Sequence, residues 1–181
     1  CTSLKHSSRF ASFVLLSKGQ YPAELDIRLP FSLLNNNITD GTLEVMPAYW
    51  WMYNMYALSR NAWKFHKRDK RARKTQHIEF DAFAPDSVEE IITARRLLEK
   101  WIGKAVLADE GKLNEQSSSE EMSARGRKFL AGSRKTPPAL KVYGENMEKT
   151  RRPVQILKSA EGYHAYEEML LFYAVKNVVD F

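Results

Sequence analysis

The stretch that most constrains the fold is residues 46–74, where Pro47 stands near the start and neither proline nor glycine occurs again before Pro85. Proline suits the first turn of a helix, and both residue types disfavour helix interiors. The sequence therefore predicts one long helix from Met46 to about Lys74.

The first half of this predicted helix carries apolar side chains on almost every side. At about 100° per residue, two neighbouring sides hold large residues. One side has Trp51, Met55, Leu58, Ala62 and Phe65, and the other has Tyr49, Met52, Tyr53, Tyr56 and Trp63. A helix of this kind is buried on several sides, so we expect it to be a central packing element.

A narrow polar stripe interrupts the apolar surface of the same helix. Asn54, Asn61, Lys64 and Arg68 fall on one line at helical spacing. Buried amides must find hydrogen-bond partners. The two asparagines therefore either bind a ligand or satisfy backbone groups of the preceding loop, and the second case is the commoner one.

The far end of the predicted helix is strongly basic. Its cations, opposed only by Asp69, are Lys64, Lys67, Arg68, Lys70, Arg71, Arg73 and Lys74. Such a cluster attracts phosphate, or it is a solvated helix end whose charges complement the helix dipole. The whole chain has a net charge of only +6, which does not require a nucleic-acid partner.

Residues 1–46 differ in pattern from the rest and are predicted to form short strands and a packed loop. Leu4, Phe10 and Leu16 recur every six residues among small polar residues. This is the spacing of a left-handed parallel β-helix, although ordinary strands with tight turns reproduce it. We therefore divide the chain into residues 1–46 and a helical module at 47–181, with a polar excursion at 109–138.

Residues 76–83 alternate between polar and apolar side chains and are predicted to form a strand. His77, Glu79 and Asp81 would then share one face. These side chains are able to bind a divalent metal or to act as acid and base. They are also typical of the solvent face of an edge strand, which we favour.

Three further helices are predicted. Ser87 and Glu90 have the spacing of a capping box and mark a helix that ends near Gly103 or Gly111. A short helix is expected at 120–130 inside the polar excursion. A last helix is expected from Pro153 to the end of the chain.

Several functional classes lack their sequence signals. The single cysteine, Cys1, allows no intrachain disulfide and no thiolate zinc cluster, and no apolar run is long enough to cross a bilayer. No phosphate-binding glycine loop and no nucleophile elbow is present. We expect a cytoplasmic protein without a metal or cofactor, cut from a longer chain, and the sequence does not decide whether it is an enzyme.

Three segments resemble the C-terminal half of an uncharacterised bacterial family: residues 4–13 (LKHSSRFASF), 43–54 (LEVMPAYWWMYN) and 151–154 (RRPV). Members of that family look like left-handed β-helix proteins, related in fold to sugar-phosphate nucleotidyltransferases and hexapeptide-repeat acyltransferases. The resemblance implies that residues 1 to about 35 are the last coils of a β-helix and that the helices form a cap. It carries over no catalytic residue.

The expected fold class is therefore mainly α with a small β part, a helical module after the last coils of a left-handed β-helix. We expect it to bind a phosphorylated or anionic ligand such as a sugar phosphate or nucleotide sugar, in a protein related to sugar-nucleotide or acyl transfer. Cations would neutralise phosphate and asparagines would orient hydroxyls or amides. The candidate residues are Arg9, Lys18, Asn54, Asn61, Lys64 and Arg68.

Two other functions stay open. The aromatic helix could dock a partner or a second copy, since Trp, Tyr and Met are typical of such contacts. Binding of nucleic acid through residues 64–74 is the least favoured. The expected partners are the N-terminal remainder of a longer chain and, by the resemblance, further copies in a homo-oligomer, with no membrane.

Overall fold

Seven strands and five helices occur in the computed structural model, which describes residues 2–76 and 78–179. The strands are β1 (Arg9–Phe10), β2 (Leu15–Leu16), β3 (Asp26–Ile27), β4 (Leu33–Asn37), β5 (Thr42–Met46), β6 (Tyr143–Gly144) and β7 (Val154–Ile156). The helices are α1 (Tyr49–Tyr53), α2 (Met55–Arg68), α3 (Pro85–Asp109), α4 (Ser119–Gly132) and α5 (Ser159–Val179).

The larger sheet has five strands in the order β2-β4-β5-β7-β6. β2 is parallel to β4 and β5 is parallel to β7, whereas β4–β5 and β6–β7 are antiparallel pairs. In β5, Leu43 and Val45 are buried and the alternate residues are half-buried. This alternation is that of a strand with one face on the core. β1 and β3 form a separate parallel pair.

The predicted fold class, a mainly α module after the last coils of a left-handed β-helix, is wrong. The protein is α/β, and its mixed sheets do not close into a solenoid. The parallel pairs β1–β3 and β2–β4 cover only two residues each. After β4 the chain turns at Gly41, whose φ is +62°, and returns antiparallel as β5. The six-residue spacing does not predict this hairpin. A β-helix needs successive parallel coils, and the antiparallel return of β5 after β4 does not continue them.

The core lies between the larger sheet and helices α3 and α5. Its fully buried side chains include Leu34, Leu43, Val45, Ile91, Leu98, Ile102 and Tyr166. The Tyr166 hydroxyl donates to the carbonyl oxygen of Pro30 at 2.6 Å, which ties α5 to the segment before β4. Burial holds the pKa of this hydroxyl above its usual range, so it stays a donor. No helix in the described ranges is long and apolar enough to cross a membrane.

The helix predicted at 46–74 is broken, shorter and largely exposed. Asn54 separates α1 from α2, and α2 ends at Arg68. Among the described side chains of these two helices only Leu58 is buried, whereas Tyr56 is 79% and Trp63 is 58% exposed. The expectation of an enclosed central helix is therefore wrong. The periodicity shows which sides of a helix are apolar, but not what packs beside them.

The other predicted elements have mixed outcomes. Helix α4 confirms the helix at 120–130, but β7 precedes α5, which begins at Ser159 and not at Pro153. The predicted strand at 76–83 is wrong for residues 78–83, which form no strand, and His77 lies outside the described residues. Helix α3 begins two residues before Ser87, whose hydroxyl accepts from the backbone N–H of Ala84 at 3.1 Å.

Glu145 provides a test of how charge holds the β6 region to α3. Its carboxylate binds the ammonium groups of Lys100 at 2.8 Å and Lys104 at 2.5 Å. These hydrogen bonds hold the pKa of Glu145 below its usual range. Because the pKa is lowered by folding, the pairs stabilise the protein above the unfolded-state pKa, and the contribution is lost as pH falls through the folded-state pKa.

We expect Glu145→Gln to lower the free energy of unfolding by about 0.5 to 1 kcal/mol at neutral pH, since the group is one-third exposed. The difference from the unmodified protein should disappear in acid. Urea unfolding at several pH values measures both. Glu115→Gln is the control, because Glu115 is exposed and has no ion pair within the described part of the chain. A pH-independent loss for Glu145→Gln would contradict the prediction.

Candidate functional site

Helix α2 carries the candidate site. One apolar side of this helix packs against the rest of the protein. Leu58 is buried, and the Phe65 ring stacks on the Phe80 ring with centroids 5.2 Å apart. Leu58, Phe80, Phe83 and Phe172 of α5 line a shared cavity of about 300 Å³ beside this side. Most of the other described side chains of α2 are exposed, so its other sides face outward.

A second cavity, which we call the basic cleft, lies on the adjacent side of α2 and has a volume of about 490 Å³. Its lining residues are Asn61, Lys64, Phe65, Arg68, Asp69, Arg71 and Ile78. Asn61, Lys64 and Arg68 stand three and four residues apart, and this spacing places them on the same side of the helix. The cleft therefore combines cations, one amide and an apolar wall.

The carboxylate in the cleft is already paired. Asp69 accepts from Nε and a terminal nitrogen of Arg71 at 2.8 and 2.9 Å, and Lys74 lies 3.6 Å away. The Arg71 hydrogen bond holds the pKa of Asp69 well below its usual range. Asp69 consequently stays ionised at neutral pH, and its charge is neutralised by residues at the edge of the cleft.

The two remaining cations of the cleft have no carboxylate partner among the described residues. Neither Lys64 nor Arg68 makes an ion pair within the part of the chain that the structure describes. Partial desolvation, followed by the charges of Arg60 and Arg68, lowers the pKa of the Lys64 ammonium group. An anion between Lys64 and Arg68 would relieve their mutual repulsion.

The other three candidate residues lie elsewhere. Asn54 joins α1 to α2, where its N–H donates to the carbonyl oxygen of Trp50 at 3.0 Å and its own carbonyl accepts from Ala57. Arg9 lines a groove of about 450 Å³ between the β1–β3 pair and the first turns of α3. Lys18 is exposed beyond β2 and lines neither this groove nor the basic cleft. The structure thus does not bring the six candidates into one site.

A charged network between α3, α4 and α5 was missed by the sequence analysis. Arg95 donates to Glu167 and to the Tyr163 hydroxyl, both at 2.7 Å. That hydroxyl donates to Glu99 at 3.0 Å, and Glu99 also contacts Arg127 of α4. Burial, together with the hydrogen bond to Glu99, raises the pKa of Tyr163. The available signal was Arg95 itself, a charge within the apolar periodicity of α3.

No group of three His, Cys, Asp or Glu side chains within residues 2–76 and 78–179 is placed to hold a metal ion. Glu79 and Asp81, which the sequence analysis considered as ligands, already have other partners. Glu79 accepts from the backbone N–H of Asp81 at 2.8 Å, and Asp81 pairs with Lys176 of α5.

Comparison with known proteins gives one similarity of high identity. A protein of Treponema pallidum (strain Nichols), named "Uncharacterized protein", is 41% identical over 181 residues, which are 99% of this chain and 24% of that protein. The chain thus spans about a quarter of the length of the curated relative it matches. No protein-family model and no solved structure matches the chain.

Proposed function

We propose that the basic cleft binds the phosphate group of a phosphorylated ligand. The observation that carries this proposal is the pair Lys64 and Arg68, one helical turn apart in one cavity, with no carboxylate partner in the described ranges. Arginine and lysine are the usual cations for phosphate, and the guanidinium group offers two parallel donors. Asp69 does not compete with phosphate for Lys64 or Arg68, because its carboxylate is paired with Arg71.

The rest of the cleft suggests what the ligand carries besides phosphate. Phe65 and Ile78 supply an apolar wall, and Asn61 supplies an amide for a hydroxyl or carbonyl group. A volume of about 490 Å³ is within the range of small-molecule sites. A sugar phosphate or nucleotide sugar fits this combination, and transfer chemistry would belong to other parts of a longer protein.

Affinity for inorganic pyrophosphate and for a nucleotide sugar tests the cleft. We expect Lys64→Ala and Arg68→Ala each to weaken binding about tenfold, because each removes a charge-assisted hydrogen bond. Isothermal titration calorimetry measures the loss. The matched control is Lys67→Ala, which removes the same charge from α2 outside the cleft lining.

Two results would contradict the proposal. Unchanged affinity in both cleft variants would show that the cleft is not the binding site. An equal loss in Lys67→Ala would show that the ligand responds only to the general positive field of α2. Circular dichroism confirms that the variants stay folded, as expected for side chains that face outward.

Homo-oligomerisation stays a prediction, and the exposed end of α5 is the surface that it would use. Leu171, Val175 and Val178 are 66%, 53% and 78% exposed, and their spacing places them on one side of the helix. This spacing is typical of a seam between two helices.

A further inference from the structure

A second outward side of α2 alternates aromatic rings with cations. Tyr56, Arg60, Trp63 and Lys67 are four, three and four residues apart, which places them on one line along the helix. All four are exposed, and the Lys67 ammonium nitrogen lies 4.6 Å from the centre of the Trp63 ring. We call these four residues the aromatic–cationic strip.

The strip lies next to the basic cleft. Lys64 follows Trp63 directly in the chain, so its side chain projects about 100° further round the same helix. Beyond α2 the cationic run continues through Lys70, Arg71, Arg73 and Lys74. Rings on one side of α2 are therefore bordered by positive charge on the next side and at its C-terminal end.

We propose that α2 binds single-stranded nucleic acid, with bases stacked on Tyr56 and Trp63 and with phosphates at Arg60, Lys67 and the basic cleft. This rests on the proposed function for the cleft, and it names a polymer as the phosphorylated ligand. Tyr56 and Trp63 are about 10 Å apart along the helix axis. Arg60 lies between them, where the strand's backbone passes from one stacked base to the next.

The chemistry of the strip favours a single strand over a duplex. Every base has a flat face, so stacking on an aromatic side chain tolerates any sequence, but the base must be unpaired and splayed out. In the strip, exposed rings alternate with cations, as bases alternate with phosphates along a single strand of nucleic acid. The cation over Trp63 also matches the mixed stacking and charge contacts of such sites.

The same observations argue against a membrane surface as the partner of α2. A helix that lies in a bilayer interface buries a continuous apolar face. The apolar side of α2 is already taken, since Leu58 is buried and Phe65 stacks on Phe80 within the protein. The strip itself interrupts its rings with Arg60 and Lys67.

The low net charge of the whole chain made nucleic acid the least favoured partner in the sequence analysis. Local charge matters more, because phosphate contacts form where cations lie together. Asp69 is the only acidic residue in the sequence between Glu44 and Glu79, and it is paired with Arg71. The surface of α2 is therefore far more positive than the chain average.

The test is fluorescence anisotropy with a labelled oligo(dT) of about 12 nucleotides, using all 181 residues of this sequence. We expect Tyr56→Ala and Trp63→Ala each to weaken binding at least fivefold, in line with the loss of one stacked base. Trp63→Phe keeps a ring and should restore most of the affinity. Tyr143→Ala is the matched control, an exposed tyrosine on β6 at 45% exposure.

Pyrophosphate titration of the same variants separates this inference from the proposed function. If the strip variants lose oligo(dT) but keep pyrophosphate, while Lys64→Ala weakens both, the inference is supported. If pyrophosphate binds and oligo(dT) does not, the inference is overturned and the proposed function stands. Equal oligo(dT) affinity in Trp63→Ala and Tyr143→Ala also overturns it, as does binding to anionic phospholipid vesicles without binding to oligo(dT).

Discussion

Arg152→Met is expected to lower the free energy of unfolding by about 3 to 5 kcal/mol, because it would leave a buried carboxylate without its cation, with a hydrogen bond from the Thr150 hydroxyl as the remaining contact. The Glu148 side chain is completely buried, and Arg152 Nε donates to it at 2.8 Å while a terminal nitrogen contacts the other oxygen. Arg152 also donates to the Asn36 side chain on β4. Through its contact with Asn36, Arg152 thus links the segment before β7 to strand β4.

Chemical denaturation of a matched set tests this pair. Arg151→Met is the control, because Arg151 is exposed and makes no ion pair within the described residues, and its change should stay within about 0.5 kcal/mol. The double variant Arg152→Met with Glu148→Gln should recover part of the stability, since it removes the buried charge as well. Equal losses for Arg151→Met and Arg152→Met would contradict the prediction.

Gly126→Ala and Gly103→Ala are each expected to lower the free energy of unfolding by about 3 kcal/mol, at the upper end of overpacking effects. Helices α3 and α4 cross with their backbones in contact. A Cβ at Gly126 would overlap the carbonyl oxygen of Glu99, and a Cβ at Gly103 would overlap that of Met122. Backbone atoms cannot move aside as a flexible side chain can, so the helices would have to separate.

The sign of this effect makes it informative. Alanine is the better helix former by about 1 kcal/mol, so local propensity predicts that both changes stabilise the protein. Gly132→Ala, at the last residue of α4, is the control, since a Cβ there meets nothing within 4 Å. Thermal unfolding should show a loss of about 6 to 12 °C at Gly103 and Gly126. Stabilisation at all three positions would contradict the close crossing.

The successful predictions concern elements that local sequence specifies. Helix α3 buries the periodic residues Ile91, Leu98 and Ile102, and it ends just before Gly111, whose φ is +66°. A helix of 25 residues repeats its apolar pattern many times, so its core-facing side is evident from spacing alone. The same regular spacing places Asn61, Lys64 and Arg68 on one side of α2, where they line the basic cleft, while their role in binding a ligand stays a prediction.

The failed predictions concern contacts between distant segments. Arg9 as a ligand-binding residue stays a prediction, but its groove is formed by the pairing of β1 with β3 and by the first turns of α3, which the residues near Arg9 do not indicate. The break at Asn54 likewise has no proline or glycine to mark it. In the β part, the hairpin between β4 and β5 turned an expected parallel coil into a mixed sheet.

Local spacing is enough to predict which residues share a helix side, where the cationic run at 64–74 lies and which side of α3 enters the core, because a regular backbone fixes these relations within a few turns. Three features depend on the folded chain instead: which sides of α2 are exposed, that Asp69 is paired while Lys64 and Arg68 make no ion pair within the described residues, and that two glycines let α3 and α4 touch. Burial and pairing depend on what packs beside a residue, and those neighbours come from segments far away along the chain.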